Sequence, residues 1–205
     1  MRKHFGIIAL VLMAALVAFL PAPAQANLIV NPGFEQYDYA GTGFAISTTN
    51  PGWTSTIGAG IEIQYGNVAG VSHSGDQHVE LDSHNNSNMF QDVATTAGLE
   101  YTLSFYYSPR PGVAASSNGI KVFWGGVWLD TLMGAGAGST IWTQHTYTVL
   151  GGGPTTQLEF LALGTSDSYG GYLDDVSLEP VPEPATLLLL GGGLTGLALR
   201  RRRRS

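Results

Sequence analysis

Imidazole and carboxyl groups crowd one stretch of the chain, where His73, His78 and His84 accompany Glu80 and Asp82. On a single strand His78, Glu80 and Asp82 would share a face, with successive members about 6.8 Å apart. That spacing is too open to chelate one zinc ion. No His-x-x-x-His pair and no cysteine is present to complete a transition-metal site. The three residues therefore read as a solvated polar face. Glu80, Asp82, Glu100 and Glu159 could supply the two carboxyl groups of glycoside hydrolysis, but no motif sets any two of them at a catalytic spacing.

Two other features could bind rather than react. Phe123 and Trp128 flank Gly125-Gly126, and aromatic rings stack on the apolar faces of sugars while nearby polar groups meet the hydroxyls. The alternative is that a loop or a second sheet covers both rings. Arg110 lies in Ser108-Pro109-Arg110-Pro111-Gly112, a loop by composition. It could hold a carboxylate of a ligand, or pair with a neighbouring Asp across the loop.

These residues are carried by strands. Leu99, Tyr101, Leu103, Phe105 and Tyr107 alternate with Glu100, Thr102, Ser104 and Tyr106, the period of a strand with one buried face. Similar segments at 61–65, 78–82, 89–93, 120–131, 142–150, 156–163 and 171–179 are separated by Gly, Pro, Asn and Ser. Roughly ten strands and no sustained helical period predict an all-β, antiparallel jelly-roll β-sandwich. The Gly125-Gly126 turn predicts the pairs Trp124–Val127, Phe123–Trp128, Val122–Leu129 and Lys121–Asp130. Val122, Trp124, Val127 and Leu129 would then face the core. Strict alternation in the last strand puts Asp174 on one face with Tyr172, Val176 and Leu178, where a carboxylate needs hydrogen bonds or a cation.

The segments Asn27 to Glu35, Ser74-Gly75-Asp76-Gln77, Gly98 to Phe105 and Leu173 to Leu178 resemble the galactose-binding-like jelly rolls used by many carbohydrate-binding modules. The resemblance implies a structural calcium where the first and last strands meet, with Glu35, Asp76 (with the carbonyl of His73) and Asp174 as oxygen ligands. Alternatively, Glu35 and Asp174 hydrogen-bond to backbone amides at strand ends.

The two ends of the chain differ from its middle. Arg2 and Lys3, the apolar run from Phe5 to Leu20 and Ala24-Gln25-Ala26 predict a signal peptide over residues 1–26, cut by signal peptidase. At the other end, Pro182-Glu183-Pro184 precedes the uncharged run Ala185 to Leu199 and the arginines Arg200 to Arg204. Basic residues hold such a helix end in the cytoplasm. The run is short against the about 20 residues usual for a spanning helix. This order resembles the PEP-CTERM sorting signal of Gram-negative bacteria, and the resemblance implies an exosortase as processing partner. The expected division is signal peptide 1–26, ectodomain 27–180 and sorting signal 181–205, with a transmembrane helix over 185–199.

Between the ends, fourteen acidic residues stand against Arg110 and Lys121 alone, a formal charge of −12. Nucleic acid is excluded as a partner, because phosphate contacts need a basic surface. The expected protein is therefore an exported, non-catalytic surface or extracellular-matrix protein, an inner-membrane precursor later sorted to the cell surface. It would bind polysaccharide of an exopolysaccharide or biofilm through Phe123, Trp128 and Arg110. A structural or adhesive matrix protein without a small ligand, and a secreted glycan hydrolase, are the alternatives.

Overall fold

The computed structural model describes residues 26–182. Residues 1–25 of the predicted signal peptide, Glu183, Pro184 and the predicted C-terminal helix lie outside them. Ala26–Pro180 is one compact unit. It contains β1 (Gly43–Ser47), β2 (Thr49–Asn50), β3 (Trp53–Thr54), β4 (Ile61–Tyr65), β5 (Gln77–Glu80) and β6 (Asn88–Ala94). These are followed by β7 (Glu100–Ser108), β8 (Gly119–Trp124), β9 (Val127–Leu132), β10 (Thr143–Leu150), β11 (Thr155–Leu163) and β12 (Tyr172–Pro180). Two antiparallel sheets result. Sheet A runs β1-β4-β5-β12-β7-β10 and sheet B runs β2-β3-β6-β11-β8-β9. No described residue is helical.

The alternation read from the sequence builds the core between the sheets. Tyr101, Leu103, Phe105 and Tyr107 of β7 are buried, as are Ile120, Val122 and Trp124 of β8 and Leu158 and Phe160 of β11. Phe105 and Phe160 meet edge-on across the two sheets at 5.0 Å between centroids, and Trp53 leans on Phe160 at 6.2 Å. Such offset aromatic contacts add to area burial. The segment before β1 is also anchored. Leu28 N donates to Leu178 O, Val176 N donates to Pro32 O, and Phe34 is fully buried despite a φ of 63°.

Two bulges overturn the strict alternation expected above. In the β8–β9 hairpin Trp124 faces Val127 and Phe123 faces Trp128, as the Gly125-Gly126 turn requires, with both glycines at positive φ. The register then slips, so Asp130 stands opposite Val122 and Thr131 opposite Lys121. The predicted Lys121–Asp130 pair does not form, and Asp130 accepts the Tyr147 hydroxyl at 2.7 Å. Val127 is 66% exposed at the hairpin tip rather than in the core.

In β12 the register shifts between Asp174 and Ser177, where Asp175 has a φ of 47°. A bulge residue reverses the side to which its successors point. Leu173, Val176 and Leu178 therefore enter the core, while Tyr172 and Asp174 lie on the outer face of sheet A beside Glu80 and Tyr106.

Candidate functional site: the outer face of sheet A

Ile61, Ile63 and Val79 point into the core, so their neighbours Glu62, Gln64, His78 and Glu80 occupy the opposite face of β4 and β5. Glu62 pairs with Glu80 in register, and Gln64 with His78. Contrary to the solvated face expected of His78, Glu80 and Asp82, all three are buried, with exposures of 1%, 0% and 0%. Three loops cover them. The 66–72 loop is fastened by Trp142 Nε1 and Thr140 Oγ1, which both donate to Val71 O at 2.9 Å, and by Ser72 Oγ on His78 Nδ1. Asp82 holds the 165–170 loop by accepting from Asp167 N at 2.9 Å and from Ser166 Oγ at 3.3 Å. Asn118, fully buried, organises the 109–117 loop. Its Oδ1 accepts from Arg110 N at 2.9 Å, and its Nδ2 donates to the carbonyls of Val113 and Ala114.

These loops bring Arg110 over the sheet. Its Nη1 donates to Glu80 Oε2, a partner thirty residues earlier in the chain, rather than to an Asp of its own loop. Glu80 also accepts from Gln64 Nε2 and from Gly170 N. The same amide nitrogen of Gln64 donates to Glu62 Oε1 at 2.9 Å. Burial raises the carboxyl pKa of Glu80 above its ordinary value; Arg110 opposes the shift and Glu62 adds to it. Burial likewise raises Glu62. Two facing carboxyls of this kind share a proton rather than both ionising. Burial, then Arg110, lowers the His78 pKa to about 3, so the ring is neutral.

The guanidinium carbon of Arg110 sits 4.7 Å from the centroid of Tyr169, whose ring is half exposed. Arg110, Tyr169 and Ala69 border two adjoining hollows. One, of about 640 Å³, lies between the 109–117 and 165–169 loops, and Ser117 and Asp167 form its polar wall. The other, of about 300 Å³, is lined by Glu62, Gln64, Ser83, His84 and the exposed Phe44. Carbonyl, hydroxyl and carboxyl groups beside two exposed rings can bind a polyhydroxylated ligand. Sequence reasoning singled out Arg110 but missed Glu62, Gln64, Phe44 and Tyr169. The alternation that leaves Glu62 and Gln64 between Ile61, Ile63 and Tyr65 was the available signal.

The other candidate residues lie elsewhere. Phe123 and Trp128 stand together on the outer face of sheet B, with Trp128 60% exposed, so the structure does not unite them with Arg110. Glu35 accepts from Asp76 N and Gln77 N, both at 2.8 Å, and from Gln77 Nε2 at 3.1 Å. Asp174 accepts from His73 N at 2.9 Å, Ser74 N at 3.2 Å and Asp175 N at 2.8 Å. Burial, then the Asp175 carboxylate, pushes Asp174 up to about 8. Among the described residues no three His, Cys, Asp or Glu side chains are gathered to hold a metal ion.

Beyond the last strand, residues 180–203 match a protein-sorting motif. The chain carries the PEP-CTERM motif. The motif indicates a secreted, surface-sorted protein and implies exosortase processing. A curated relative, the multifunctional-autoprocessing repeats-in-toxin of Vibrio cholerae serotype O1 (strain ATCC 39315 / El Tor Inaba N16961), is 30% identical over 154 residues. The aligned region is 73% of this PEP-CTERM chain but 3% of the toxin. Among solved structures, the K2 cleaved adhesin domain of Lys-gingipain aligns with a TM-score of 0.54 at 15% identity, over 77% of this chain and 98% of that one. The arabinose-bound MgGH51 α-L-arabinofuranosidase gives a TM-score of 0.51 at 15% identity, over 76% of this chain and 26% of that one. TmCBM61 in complex with β-1,4-galactotriose gives 0.47 at 18% identity, over 76% of this chain and 99% of that one. The described residues have an all-β jelly-roll architecture, and the sorting motif follows them in sequence.

Proposed function

We propose that this PEP-CTERM protein is a non-catalytic, glycan-binding component of the cell surface or extracellular matrix. Signal peptidase removes residues 1–26, the precursor is held in the inner membrane by its tail, and an exosortase acts near Pro182-Glu183-Pro184. The observation that carries the reading is the cleft on sheet A, where Arg110 is fixed by the buried Glu80 and holds Tyr169 at its rim. A rigid polar floor with an exposed ring above it suits sugar hydroxyls and a sugar face together. The carboxyls of Glu62 and Glu80 are enclosed and tied to Gln64 and Arg110, which favours holding over hydrolysing. The test is glycan-array binding by the Ala26–Pro180 unit and its Tyr169→Ala variant. Binding that the variant loses supports the reading, and an array with no bound glycan removes it.

A further inference from the structure

We infer that the smaller hollow is a subsite for one neutral sugar residue, whose hydroxyls donate to Gln64 and Ser83 while its ring rests against Phe44 or Tyr169. This rests on the glycan reading above and adds the class of sugar.

The Nε2 of Gln64 lies between Glu62 Oε1 and Glu80 Oε2 and donates to both. Its Oε1 is left buried without a hydrogen-bond partner, and the residue is 1% exposed. Ser83 Oγ, on the same hollow, is also buried and unpartnered. Unmade hydrogen bonds at buried polar atoms cost free energy that a ligand supplying the missing partner recovers. A sugar hydroxyl can donate to Gln64 Oε1 and either donate to or accept from Ser83 Oγ.

The hollow of about 300 Å³ is at the small end of ligand pockets, about the volume of ten waters. A volume of that order holds one pyranose with its hydroxyls. Phe44 pairs in register with Gln64, so it stands on the same face at the edge of the floor, and it is 54% exposed.

Charge decides between neutral and acidic sugars. The guanidinium of Arg110 is committed to Glu80, Glu62 adds a second carboxyl, and Asp167 borders the adjoining hollow. An exported unit of −12 formal charge deepens the negative potential. A uronate entering here would meet the carboxyls of Glu62, Glu80 and Asp167, with Arg110 already paired to Glu80 and His84 the other basic side chain at the hollow.

The experiment titrates the Ala26–Pro180 unit by NMR with methyl glycosides of galactose, glucose and mannose, and with galacturonate and glucuronate. The expected result is saturable binding of at least one neutral glycoside and none of the uronates. Tyr169→Ala should weaken that binding at least tenfold and Ser83→Ala about threefold, with near-ultraviolet circular dichroism unchanged. Uronate binding equal to or tighter than neutral binding overturns the class of sugar but leaves the glycan reading. Polysaccharide binding on an array without binding of any monosaccharide overturns the single-residue subsite alone. Neutral binding abolished by Trp128→Ala and retained by Tyr169→Ala moves the site to sheet B. If neither array nor titration shows a ligand, both readings fall.

Discussion

Glu80 faces Glu62 across the β4–β5 pair, and one amide nitrogen of Gln64 bridges them while Arg110 closes over Glu80. Two carboxyls, an amide and a guanidinium thus form a single buried unit between a sheet and three loops.

Removing the cation from that unit should be severe. Glu80 is fully buried, so Arg110→Ala leaves its carboxyl without the partner that offsets its desolvation. Burial holds the Glu80 carboxyl up at about 9 even with Arg110 in place, so at neutral pH the variant keeps it protonated. The loss should grow in alkali, where the wild-type pair ionises and a lone buried carboxyl does not, towards roughly 3 kcal/mol. Urea unfolding should show a larger difference between variant and wild type at pH 10 than at pH 7. Equal losses at pH 7 and pH 10 would contradict this role.

Asp174 should make the domain less stable as alkali is added. Its folded pKa of about 8 lies well above the ordinary carboxylate value, so the folded state binds the proton more tightly than the unfolded chain. Its contribution is present in full below about pH 4 and is lost as the pH rises through about 8. Asp174→Asn should therefore flatten the fall of Tm between pH 5 and pH 8. An unchanged slope would show that the Glu62–Glu80 pair alone produces it.

Much of the framework was legible. β7 could be read from Tyr101, Leu103, Phe105 and Tyr107, because burial on one face imposes a period of two. β1 to β3 were missed, since β2 and β3 have two residues each and offer no period to detect. The bulges at Leu129 and Asp175 were invisible to alternation, although Asp tolerates positive φ and the Asp174-Asp175 pair hinted at one. The site itself was least legible. Burial of His78 and Glu80 depends on loops 66–72 and 165–170, which approach from remote parts of the chain, and sequence spacing carries no record of that.

Calcium can be tested by thermal unfolding with calcium and with chelator. Glu35 and Asp174 each accept three hydrogen bonds from amide N–H groups. With their oxygens so engaged, the expected outcome is the same Tm in both conditions. A rise in calcium that Asp174→Asn abolishes would instead assign Asp174 to a cation.

Gly136 supports the cleft from behind. A Cβ there would overlap the Arg110 carbonyl, so Gly136→Ala must push the 109–117 loop outward. The expected result is weaker glycan binding than wild type with a Tm lowered by several degrees. Unaltered binding would mean that the loop tolerates the displacement.

β12 is the last strand in sequence, yet it lies inside sheet A, hydrogen-bonded to β5 on one side and β7 on the other. Until Tyr172–Pro180 is in place, β5 and β7 each lack a neighbour, and the core lacks Leu173, Val176 and Leu178. The domain therefore cannot finish folding from a growing or half-threaded chain, and long-range closure of this kind is slow. The place of β12 also sets a boundary for maturation. A cut beyond Pro180 trims a finished domain, whereas one only a few residues earlier would draw out the middle of a sheet.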